Sequence, residues 1–308
     1  MGGSRYNGCM TGPDDLRSLV FRPGVRQHAP ATPEGIARAE EALALVFPAD
    51  VRGAYHVADG ADLAGGAAFL PLERVMAYAA ALEAYGVPGA WGLVPVLDDG
   101  GSSVLCVACH APLAGYVVRV PRYDVKQIEA RSFTDALAAL AVGEGGSFRN
   151  VFAEPERTAR DVRVARALLL QSGTLGEIAR RDAYRFATRL VSEQEVALLV
   201  PLLNEDEYVR ENVLERLRDM APGSAAAQAA LRAAEEALLD FAGTCARILR
   251  ESGMDVRVAH ESWGPQVTVQ PGGVVLKLEA LFAARANPEF AAWLPERVRA
   301  IQALGRQA

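Results

Sequence analysis

Residues 103–109, Ser-Val-Leu-Cys-Val-Ala-Cys, are apolar at odd and even positions alike. A strand points successive side chains to opposite faces, so a run without alternation fits only a sheet covered on both sides. Similar runs occupy 92–97 and 115–120. Asp98-Asp99-Gly100-Gly101 and Ala111-Pro112 supply the turns between them. Three neighbouring strands of one buried sheet are expected here.

The same geometry decides how to read Cys106-Val-Ala-Cys109-His110, which spells the C-x-x-C-H signature of c-type haem attachment. Residues three apart on a strand diverge, so Cys106 and Cys109 would share neither a haem nor a zinc ion. They read as small apolar core residues. Cys9 and Cys245 have no cysteine or histidine at ligand spacing. No cofactor and no metal is expected.

Around this sheet the period changes several times. Residues 1–30 read as an irregular arm. Thr32-Pro33-Glu34 then opens a helix with a capping side chain, a proline at the first position and an acid at the positive end of the dipole. Ile36, Ala39, Leu43 and Phe47 form its buried stripe. A second helix starts at Pro48 and ends at Asp59-Gly60. A third follows the apolar stretch after residue 66, and Ser132 with Asp135 begins a fourth over 132–141.

From about residue 155 helical patterns run over 157–171, 174–190, 193–203, 205–220 and 225–251. The strand period returns at 255–261, 266–270 and 274–278 as a three-stranded meander, followed by helices over 279–285 and 288–304. The expected fold class is α+β. Its parts are an arm (1–30), an α+β domain (31–145), a helical region (150–252) and a small β-meander with helices (253–308).

The net charge of −6 is unevenly spread. Residues 31–142 hold 13 acidic and 7 basic side chains, which accounts for all of it. Direct nucleic-acid binding by this segment is excluded for want of a basic footprint. A basic partner suits it. No apolar run is long enough to span a bilayer, and the first residues lack the apolar core of a secretory signal, so a cytoplasmic protein without membrane contact is expected.

Three features over residues 31–142 together resemble the SUKH superfamily, the Smi/Knr-like group. The first is the opening helix pair with Ile36, Glu40, Phe47-Pro48, Tyr55 and Asp59-Gly60. The second is the strand, acidic-glycine turn and strand of "LVPVLDDGGSSVLCV". The third is the closing helix "SFTDALAAL". Phe47 stands where the family usually has Leu and Asp59 where Asn is commoner, and the polar residues expected after Gly60 are missing. The resemblance implies helices packed on one central, largely antiparallel sheet, and a binding module rather than an enzyme. It also implies an immunity protein that neutralises a polymorphic toxin, often a nuclease. Asp206 and Val209-Arg210 resemble the D-x-x-V-R of a HEAT-type helix.

No phosphate loop, nucleophile elbow or H-E-x-x-H occurs. His28, His56, His110 and His260 are scattered through different elements, so no catalytic residue is assigned. The partner-binding candidates are Asp59, Asp62, Asp98 and Asp99, loop acids able to meet a basic protein surface, with Trp91 as an apolar anchor. Trp263 stands at a similar boundary. A protein partner, most naturally a basic toxin domain, is therefore expected. The alternatives are a regulatory scaffold for endogenous proteins and an enzyme with an unrecognised site in 150–308.

Overall fold

In a computed structural model the described residues are 26–63, 66–84, 89–101, 103–121, 126–142, 157–261 and 264–304. Cys9, Trp263 and most of the N-terminal arm lie outside them. The protein is α+β and divides into two compact units. One is Met1–Glu156 with Ala167–Phe186, the other Arg157–Arg166 with Ala187–Ala308.

The first unit is built on a seven-stranded sheet in sequence order, every neighbouring pair antiparallel. Its strands are β1 (Arg26–Gln27), β2 (Ala61–Asp62), β3 (Ala68–Phe69), β4 (Leu93–Asp98), β5 (Ser103–Ala108), β6 (Val117–Pro121) and β7 (Gln127–Ala130). The three strands read from the apolar runs are β4, β5 and β6. The two-residue strands and β7 are additions, and β1 forms within the segment read as an irregular arm.

Four helices belong to the same unit: α1 (Pro33–Leu43), α2 (Ala49–Val57), α3 (Leu72–Ala84) and α4 (Phe133–Val142). Thr32 caps α1 as its sequence indicates, its hydroxyl accepting from Gly35 N–H at 3.1 Å. Ser132 does the same for α4 through Asp135 N–H at 3.0 Å, while Asp50 accepts from Phe133 N–H at 2.9 Å. Ile36, Val51, Tyr55, Val75, Phe133 and Leu137 carry these helices onto one face of the sheet, against Val94, Leu97, Leu105, Val107 and Val117. The rings of Phe47, Tyr55, Phe69 and Phe133 run through this core at centroid spacings of 4.8–6.0 Å.

Register and burial show that the opposite face is covered too. Leu93, Cys106, Ala108 and Val118 occupy the alternate positions and are buried just as fully. Helices α5 (Ala159–Ser172) and α6 (Glu177–Leu190) follow in sequence. Within the first unit, Phe186 of α6 meets Trp91 edge-on at 6.0 Å and Asp182 accepts from Lys126 Nζ at 2.6 Å. A stretch beyond residue 156 thus completes the core that 26–142 begins.

In the second unit the spine is α8 (Ala225–Glu251), 27 residues long. Ala227, Ala230 and Ala234 line its first half with small side chains that let α7 (Glu207–Met220) approach closely. Its second half presents Leu238, Phe241, Ala242, Cys245 and Leu249 to the three-stranded sheet of β8 (Asp255–Glu261), β9 (Gly264–Gln270) and β10 (Val274–Leu276), and to α9 (Leu278–Phe282) and α10 (Phe290–Leu304). The meander read from the alternating pattern is present, in the order β10-β9-β8. The helix expected over 193–203 is instead two 3₁₀ pieces, Glu193–Leu198 and Val200–Asn204. Glu195 leaves helical dihedrals (φ −108°, ψ 25°), and Pro201 has no N–H to continue an α-helical ladder.

One position has no freedom. Gly60 sits at φ +95°, and a Cβ there would lie 2.8 Å from Pro71 N and 3.0 Å from Phe69 O, both backbone atoms. Gly60→Ala combines backbone strain with a clash that cannot relax, and is expected to destabilise the first unit by about 3 kcal/mol in urea denaturation.

Candidate functional site

The structure distributes the five sequence candidates over different duties. Asp59 is half-buried, and its Oδ1 accepts from Leu72 N–H at 2.8 Å, capping α3 from thirteen residues upstream. Asp98 accepts from Gly100 N–H at 2.9 Å and from the Tyr78 hydroxyl at 3.2 Å. Asp99 accepts from Gly101 N–H at 2.8 Å and Ser103 N–H at 3.2 Å. These three carboxylates organise the chain around them. Asp62 alone of the four is exposed, and it pairs in register with Arg26 on the neighbouring strand. Trp91 is buried, 2% exposed, and packs on Phe186.

Cys106 and Cys109 face different surroundings. Cys109, just past the end of β5, packs on the helix-covered core, as do Leu105 and Val107, and lies near Glu40. Cys106 is not part of that core and lies near Lys126. Burial pushes the Cys109 thiol up to about 12, the Glu40 carboxylate adding to it, and burial raises Cys245 to about 12. Cys106 is raised further by burial, with Lys126 opposing and Cys109 assisting. Among the described residues, no group of three or more His, Cys, Asp or Glu could hold a metal ion.

An exposed concavity that combines charge with apolar surface lies at the C-terminal end of α1. It is a cleft of about 490 Å³ lined by Glu40, Glu41, Leu45, Val46, Cys109 and His110. Ala44 adopts the left-handed conformation (φ 52°, ψ 37°) to end α1, and the chain then turns so that Val46 stands 67% exposed. The floor is rigid. Glu40 holds Arg52 through two bonds of 2.7 and 2.9 Å and accepts from Phe47 N–H at 2.6 Å. Burial pushes the Glu40 carboxyl up, but the Arg52 and Phe47 hydrogen bonds and the Arg52 charge outweigh it, so the group lies below its ordinary value.

Glu41 is exposed and adds its charge to the negative end of the α1 dipole. A partner's cationic side chain would meet a carboxylate and an apolar rim together. Sequence reading missed this cleft because its parts lie about seventy residues apart. The left-handed turn that exposes Val46 falls on an alanine, which carries no turn signal. Comparison with family models and with curated proteins finds no match.

Two outcomes follow. Because Glu40 has a lower pKa folded than unfolded, it stabilises the fold at neutral pH. That contribution fades as the pH falls from the ordinary glutamate range through the folded value. Glu40→Gln should therefore flatten the acid limb of stability against pH in urea titrations, modestly, since Arg52 is 42% exposed. In the native protein at neutral pH, iodoacetamide should leave Cys106, Cys109 and Cys245 unmodified until denaturant is added, as read by mass spectrometry of the alkylated peptides.

Proposed function

We propose that this chain is a non-catalytic protein-binding module, an immunity protein that neutralises a cognate toxin carrying a basic surface. On this reading residues 31–142 form a SUKH-like domain, and the helices of the second unit, with their HEAT-like Asp206 and Val209-Arg210, extend its binding capacity. The observation that carries the reading is the cleft beside α1. Exposed Glu41 at the negative end of the α1 dipole supplies negative potential, and Val46 supplies an apolar anchor close to the Glu40–Arg52 pair. Charge complementarity around a packed anchor is how a small surface achieves fast and selective docking. Asp62 adds an exposed acid elsewhere on the same unit. Asp59, Asp98 and Asp99 act by shaping the loops that bear them.

A second reading, an adaptor for endogenous proteins, is favoured by one feature of the second unit. Helix α10 exposes Trp293, Ile301 and Leu304 at spacings that align them along one side, with Arg297 over the Trp293 ring. A stripe of this kind would give such an adaptor a further docking face.

The discriminating measurement is titration calorimetry of the full chain against each basic toxin-like domain that its gene neighbourhood encodes. Val46→Asp is expected to weaken binding by about 2 kcal/mol, roughly thirtyfold in Kd. Glu41→Lys should slow association most at low salt. Binding that is indifferent to both substitutions removes the cleft from the interface. Toxin activity undiminished by the wild-type chain removes the immunity reading altogether.

A further inference from the structure

The small sheet of the second unit ends on one side at β8, whose ladder runs to β9 alone. In an antiparallel pair, residues that exchange two backbone hydrogen bonds alternate with residues that exchange none. His260 stands opposite Pro265, which has no N–H, so theirs is a pair of the second kind. The bonded pairs are therefore Asp255 with Gln270, Arg257 with Thr268, Ala259 with Gln266 and Glu261 with Gly264. The two-residue connection from Glu261 to Gly264 demands the same parity.

The backbone N–H and C=O groups of Val256, Val258 and His260 consequently point away from the sheet. Arg250 uses one of them, its Nη2 donating to the Val256 carbonyl at 2.9 Å. Among the described residues, the backbone groups of Val258 and His260 have no partner. The strand is seven residues long and holds no proline, so the usual devices that blunt a sheet edge are missing. Val258 lies on the helix-covered face, opposite fully buried Val267, and is still 42% exposed at this edge.

Donors and acceptors alternating along an extended backbone are matched by another extended backbone. What selects a second copy is the fit of β8 to itself. Twofold antiparallel pairing sets one residue opposite its own copy, and the three central registers differ sharply. Centred on Arg257, the pairing puts like charges face to face. Centred on Val258, it needs the Val256 carbonyl that Arg250 holds, and it sets Asp255 opposite position 261, a glutamate in the sequence. Centred on Ala259, it pairs Val258 with His260 of the other copy twice over, using only the open groups. That register also sets small Ala259 against itself and Arg257 opposite position 261. We propose that two copies of this chain associate by antiparallel pairing of β8 about Ala259, joining their three-stranded sheets into one continuous sheet. This contact belongs to the second unit and does not depend on the function assigned to the cleft beside α1.

Two bonds in each of two pairs make a small interface, so the association depends on concentration. Sedimentation equilibrium of the full chain carrying Cys9→Ser should show monomer passing to dimer as the concentration rises to about 1 mM. His260→Pro removes an open N–H and no ladder bond, and should weaken association about tenfold or more with the circular dichroism unchanged. Ala259→Lys brings like charges together at the centre and should hold the chain monomeric. In the Cys9→Ser background, Ala259→Cys should give a disulfide-linked dimer under mild oxidation by diamide, whereas Arg257→Cys should not, because its sulfur would be offset from its own copy. A chain that stays monomeric throughout leaves the edge to a segment of some other protein and overturns the proposal. So does a dimer indifferent to both His260→Pro and Ala259→Lys, or one that Arg257→Cys links and Ala259→Cys does not.

Discussion

Burial of the central sheet on both sides is the constraint from which the architecture of the first unit follows. Leu105 and Val107 are excluded from water by the helices of 33–142, and Cys106 and Ala108, between them, are excluded on the other side. Helices α1 to α4 all contribute to a single core on one face. The second face must therefore be closed by chain from elsewhere, and the α6 residues that meet Trp91 and Lys126 do so. A strand apolar at every position is thus a statement about the rest of the chain, because leaving either face wet would forgo about 1.5–3 kcal/mol for each large side chain exposed.

This explains how the fold could and could not be read in advance. The strands over 92–120, the helices with capping residues, the long Ala-rich helix of 225–251 and the C-terminal meander were all legible, because each is specified by its own periodicity. The two-residue strands β1, β2 and β3 were not. Their existence depends on pairing with a neighbour, and two residues carry no period. The two compact units, with Ala167–Phe186 grouped with the sheet, leave no local signal either. What the sequence does contain is the demand for a second cover, visible in "SVLCVAC", without the identity of the segment that meets it.

The candidate site divides along the same line. Acids beside glycines are good turn formers because their carboxylates bond backbone N–H groups a few residues on. The structure finds Asp98 and Asp99 doing this, and Asp59 applying the same chemistry to a distant helix end. Loop acids chosen for a binding surface are drawn from the same pool as loop acids that hold the loop, and sequence does not separate them. Glu41, Val46 and His110, by contrast, meet only through the fold, as do Lys126 and Asp182. Local chemistry was readable at these places and convergence was not.

The cover over the second face of the sheet carries a choice that packing alone does not explain. Two apolar side chains in place of Lys126 and Asp182 would shield Cys106 and Val118 without desolvating two charges, and such replacements are often neutral or stabilising. A buried ion pair is weak evidence for stability, which makes its position informative. Lys126 and Asp182 meet at 2.6 Å with side chains 15% and 7% exposed, so losing either partner alone would strand a buried charge, whereas replacing both together would not.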